Sequence, residues 1–99
     1  MATKKISKKY VIVRCRNAGV HAGEYVSNSG QEVVLQNSRR IWYWSGAASL
    51  SQLARDGAKN FANCKFGVPV NITLLDACEI IECAPAGEKM IRECPEWKI

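Results

Sequence analysis

The chain has 99 residues, enough for one hydrophobic core and too few for two. Its 47% hydrophobic and 23% charged residues are those of a folded domain and exclude a disordered chain. The net charge of +5 is uneven: residues 1–65 carry eleven Lys/Arg against three acids, and residues 66–99 carry three against six. The first part could therefore meet an anion, and the second could meet the first part of a neighbouring copy.

No apolar run approaches the roughly 18 residues of a membrane span. The start, with Lys4, Lys5, Lys8 and Lys9, has no apolar stretch of the signal-peptide kind behind it. A cytoplasmic protein with no membrane partner is expected. Residues 1–9 read as a basic flexible tail and residues 10–99 as a single domain.

Residues 10–16 (YVIVRCR) are rich in β-branched side chains and read as a first strand. A glycine-bounded connection over 17–23 leads to a second strand at 24–27, and a turn at 28–30 to a third at 31–36. Asn37-Ser38 offers another turn before a fourth strand at 39–44. Ser49 suits the cap of a helix carrying Leu50, Leu53 and Ala54 at helical spacing, with Gly57 as its stop. A loop over 58–67 has Phe61 and Phe66 as anchors. Residues 68–75 have strand composition, with Pro69 at the start or on an edge. Residues 77–83 read as a strand, with a short helix as the alternative, and Pro85 opens a last helix to about residue 92. The expected fold class is α+β: an antiparallel sheet or small open barrel of about five to six strands with two short helices.

Five cysteines, an odd number without a secretion signal, read as small buried hydrophobes rather than disulfides. Their spacing lacks the paired Cys-x-x-Cys of zinc sites, and His21 is the only histidine, so no metal and no cofactor are expected.

The densest chemistry lies in residues 39–54, RRIWYWSGAASLSQLA. In a strand, Arg40, Trp42 and Trp44 share one face, and Arg39, Ile41 and Tyr43 the other. Flat rings beside a guanidinium stack bases and pair phosphate. Ser45 and Gly46 then lead into a helix N-terminus, where backbone N–H groups can receive an anion. Arg39, Arg40, Trp42, Trp44, Ser45 and Gly46 are the candidate ligand-binding residues, with Arg14, Arg16 and His21 as outlying ones. The same aromatics suit a core or a subunit interface.

With Cys64-Lys65-Phe66, Glu79-Ile80-Ile81 and Pro95-Glu96-Trp97, this run resembles a family of small uncharacterised phage and prophage proteins, from about residue 10 to residue 97. The resemblance implies a phage protein acting in the cytoplasm of the infected bacterium, and it brings no catalytic residues. It favours a non-catalytic binding protein that counters host defence by sequestering a nucleotide-derived signalling molecule, and subunit junctions in a homo-oligomer would give a small chain the depth for a pocket. The alternatives are a basic module that binds nucleic acid or inhibits a host protein directly, with steep salt dependence in the nucleic-acid case, and a phage structural or interaction protein. An enzyme is not expected, because no nucleophile, metal or dinucleotide motif is present.

Overall fold

A computed structural model describes residues 9–99, with Phe61 described by its backbone alone. The expected lysine tail lies outside the described residues except for Lys9. That residue belongs to the domain: its carbonyl accepts from Tyr25 N at 2.8 Å and its ammonium pairs with Glu82 at 3.1 Å.

The architecture is α+β, a six-stranded antiparallel sheet with two helices. β1 (Tyr10–Cys15) lies between β2 (Val20–Ser29) and β6 (Ala77–Glu82), and β2 forms a long hairpin with β3 (Glu32–Tyr43). β3 is long enough to serve two neighbours on its other edge. Val33, Val34, Leu35 and Ser38 pair with β5 (Val70–Leu74), and Ile41 and Tyr43 pair with β4 (Lys65–Phe66). The β-branched run of β1 is buried on both faces: Tyr10 and Ile12 join one core cluster, and Val11, Val13 and Cys15 join another.

The sequence reading split the β2–β3 hairpin into three strands, and the structure corrects it. Val20 and His21 already pair with β1, and Asn37-Ser38 is a bulge, not a turn. Asn37 adopts φ 50, its backbone N–H donates to Asn71 Oδ1 at 3.1 Å, and the pairing register shifts on both sides of β3 there. One extra residue bends a strand and disturbs its ladder, whereas a reversal would need the flanking segments to pair with each other.

Both helices cover the cluster built on Tyr10, Ile12, Ala22, Ile41 and Phe66, to which they contribute Leu53, Ala54 and Ile91. α1 (Leu50–Asp56) is capped as expected: Ser49 Oγ accepts from Gln52 N at 3.1 Å, and Gly57 N donates to Leu53 O at 2.9 Å. α2 (Pro85–Glu93) starts on Pro85 and crosses α1 at Gly87, where an added Cβ would sit 2.0 Å from Ala54 O. The second cluster, on the opposite face, holds Val33, Leu35 and Leu74. Cys15, Cys64 and Cys94 are buried as small hydrophobes, and burial pushes the Cys15 thiol up to about 11, whereas Cys78 is exposed on β6. Among the described residues no helix is long and apolar enough to cross a membrane.

Arg39 is only 3% exposed and has no carboxylate partner among the described residues. Its guanidinium donates instead to five backbone carbonyls: Gly67 at 2.8 Å, Ile91 at 2.6 Å, Cys94 at 2.7 Å, Phe66 at 3.1 Å and Pro95 at 3.3 Å. The Phe66 ring lies 5.7 Å from the guanidinium carbon. Ile91 O and Cys94 O belong to the C-terminal end of α2, where unpaired carbonyls carry partial negative charge. A buried cation without such acceptors would be strongly unfavourable.

Replacing Arg39 with Met takes a donor from all five carbonyls and leaves Phe66 O with the Trp97 amide, so Arg39→Met should lower unfolding free energy by about 3–5 kcal/mol, read from urea denaturation. Arg39→Lys should recover little of that, because an ammonium cannot fan out to five acceptors. Gly87→Ala should cost about 1–3 kcal/mol in the same assay, because Cβ must push the two helices apart.

Candidate functional site

The two adjacent arginines of β3 face opposite layers. Arg40 leaves the core on the face away from the helices, where its Nη1 donates to Ala18 O at 3.1 Å. Its guanidinium carbon lies 5.2 Å from the centroid of Trp42, the next residue on that face. Trp42 in turn meets Trp97 edge to face, with ring centroids 5.9 Å apart. The ammonium of Lys65, on β4, sits 5.4 Å from the centroid of the Trp97 ring. Trp97 reaches this place because its backbone N–H donates to Phe66 O at 2.8 Å and Glu96 bridges to Phe66 in parallel fashion.

Arg40 and the two tryptophans line an open groove of about 310 Å³. Val68, Val70 and Ile72 form its apolar side, Lys98 stands at its rim, and His21 and Ser38 lie at its base. No carboxylate lines it among the described residues. Trp42 is 58% and Trp97 49% exposed, so both rings present surface to solvent although each is held by the other. His21 is buried, and its Nε2 is 2.9 Å from the same Ala18 O that holds Arg40. Burial, reinforced by the neighbouring Arg40 charge, lowers the His21 pKa against the opposing effect of the Ala18 hydrogen bond. The neutral ring then donates from Nε2. Ser38 Oγ is buried beside it with no hydrogen-bond partner among the described residues.

Two of the six residues singled out in the sequence, Arg40 and Trp42, are therefore brought together here, with the outlying His21 beneath them. The other four serve the fold. Arg39 points into the core and spends its guanidinium on backbone carbonyls. Trp44 lies beyond the end of β3, so strand alternation does not carry it onto the Arg40 face; it packs on the helix-side core and donates from Nε1 to Ala47 O at 3.2 Å. Ser45 and Gly46 lock a loop: Ser45 O accepts from Asn60 N at 3.1 Å, Ser45 Oγ from Asn60 Nδ2 at 2.9 Å, and Gly46 O from Lys59 N at 3.3 Å. Gly46 has φ 100, and an added Cβ would sit 2.5 Å from two backbone nitrogens, which is why only glycine fits there. The start of α1 is closed to an anion by its own side chains, since Gln52 N is capped by Ser49 and Ala48 N donates to Gln52 Oε1 at 2.7 Å. Arg14 of β1 pairs with Glu79 of β6 at 2.9 Å on the exposed surface of the sheet, and Arg16 is exposed beyond the end of β1.

Sequence reasoning missed Trp97, Lys98 and the β5 side of the groove. A lone tryptophan in Pro95-Glu96-Trp97 was a usable signal, but its placement depends on the short β4 strand and on Arg39. Chemically, the groove offers a flat aromatic corner, a guanidinium with one hydrogen bond and several remaining N–H groups, and a rim ammonium. Among the described residues no three His, Cys, Asp or Glu side chains converge as a metal site would require.

No curated protein and no solved structure matches the chain. Residues 8–91 match the model of a family described as a domain of unknown function, DUF6948, and the chain belongs to that family.

Proposed function

We propose that the groove between β3, β5 and the C-terminal segment binds a planar anion of nucleotide type. On this reading the protein holds its ligand rather than transforming it. The observation that carries it is the Arg40–Trp42–Trp97 corner, a cation over one ring and a second ring inclined to it at 64°, in a cleft lined by no described carboxylate. A base stacks on Trp42 or Trp97, and its phosphate pairs with Arg40 and the Lys98 ammonium. The resemblance to phage proteins supplies the setting: sequestration of a nucleotide-derived signal of host defence in the bacterial cytoplasm.

The rim favours a companion reading. Val68 and Val70 are exposed beside the two exposed tryptophans, an apolar surface of the kind that a second copy of the chain covers. A homo-oligomer meeting there would deepen a cleft that is open in a single copy.

Calorimetric titration with 5′-AMP tests the site. Binding should weaken roughly tenfold or more in Arg40→Ala and in Trp42→Ala, in line with a stacking contribution of about 1–3 kcal/mol per base. Arg14→Ala, on β1 and outside the groove lining, should leave affinity unchanged. Absence of binding to the wild-type protein, or equal affinity in all three variants, defeats the assignment. Native mass spectrometry of the same samples reports whether ligand mass is gained by a monomer or by an oligomer.

A further inference from the structure

The groove does not end at Arg40. A second cavity of about 420 Å³ opens on the other side of that side chain, and Arg40 and Ile72 line both. Arg40 is fixed between the two cavities by its hydrogen bond to Ala18 O. The second cavity differs in chemistry from the first. It has no tryptophan; its apolar wall is aliphatic and includes Leu75, and its polar groups are Asn17, Thr73 and Asp76. Asp76 Oδ2 accepts from Asn17 N at 2.6 Å, which holds the carboxylate at the mouth of the turn before β6. A carboxylate has acceptor capacity for more than one donor, and it receives sugar hydroxyls where it would repel a phosphate.

We infer that the two cavities form one bipartite site for a dinucleotide: a base against Trp42 and Trp97, the bridging phosphate on Arg40, and the second nucleoside along β5 with its ribose hydroxyls on Asp76. This rests on the nucleotide reading of the first cavity and adds to it a second subsite of defined polarity. Aromatic, cationic and acidic groups follow one another along the groove in the order in which base, phosphodiester and ribose follow one another in such a ligand. A mononucleotide fills only the first part, so its binding leaves the β5 wall and Asp76 unused.

The test compares 5′-AMP with the linear dinucleotide ApA by calorimetric titration of the wild-type protein and of Leu75→Trp. Leu75 is exposed on the aliphatic wall of the second cavity and does not line the first, so a tryptophan there adds bulk to the second alone. Circular dichroism and the thermal midpoint confirm that the variant is folded; an unfolded variant is replaced by Leu75→Phe. The inference expects ApA to bind wild type at least tenfold more tightly than AMP. Leu75→Trp should erase that gain while leaving AMP affinity within about twofold. If AMP binds but ApA binds no better, or if the gain survives Leu75→Trp, the second subsite is refuted while the first stands. If neither ligand binds wild type, the nucleotide reading falls and takes the second subsite with it. If a hexanucleotide (dA)6 binds far more tightly than ApA, a single strand running through the groove replaces the dinucleotide.

Discussion

One buried cation organises this molecule. Arg39 is enclosed by backbone carbonyls from β4, from the end of α2 and from the segment that follows it, and it gathers those three pieces onto β3. A carboxylate would have satisfied the charge with one side chain. Carbonyl dipoles satisfy it only if several segments converge, so neutralising the charge and fixing the tertiary structure are one event. The C-terminal segment has no regular structure of its own, and it is held by Arg39 through Cys94 O and Pro95 O and by Phe66 O through the Trp97 amide. The aromatic wall of the groove is thus a consequence of a polar contact made on the opposite side of the sheet.

The bulge at Asn37 decides which arginine does which work. Before it, Val33 and Leu35 face the second core cluster; after it, Arg39 and Ile41 lie on the helix side, although all four positions are odd. In an unbroken strand these residues would share one face. The extra residue reverses the phase, sending Arg39 to the carbonyl cage and Arg40 to the groove. Without it the alternation would turn Arg40 to the helix side and Arg39 to the groove side. The candidate site therefore depends on a residue that neither lines it nor carries charge.

Much of this was legible in the chain. The β-branched run of β1, the Ser49 cap, Pro85 as a helix opener and the antiparallel α+β class follow from local rules that the tertiary structure does not overturn. The alternation argument placed Arg40 with Trp42 and Arg39 with Ile41 correctly, because it needs only the period of a strand. It failed at Trp44, where β3 has ended, and the period with it. Asn37-Ser38 read as a turn because asparagine accepts the same left-handed backbone in a turn and in a bulge; only the partners on either side distinguish the two. Trp97 was out of reach for a different reason. Its pairing with Trp42 is created by long-range contacts, and no local pattern encodes them.

The uneven charge of the sequence also finds its explanation inside one copy of the chain. Basic groups of the first part pair with acids of the second: Lys9 with Glu82 at 3.1 Å and Arg14 with Glu79 at 2.9 Å, while Arg92 reaches back to Glu24 at 3.1 Å. These pairs are largely exposed and contribute little stability each. Their effect is on the distribution of charge, because each sets a basic group of one part against an acid of the other. Arg40 is left in a different condition, with a carbonyl and an aromatic face for company and no ion pair among the described residues. A guanidinium so placed is partly desolvated by the ring beside it, and its field in the groove is less screened than that of a lysine in open solvent. Arg16, Lys59 and Lys65 likewise have no ion pair among the described residues, but of these cations only Arg40 lines the groove, and the proposed anion site rests on that position.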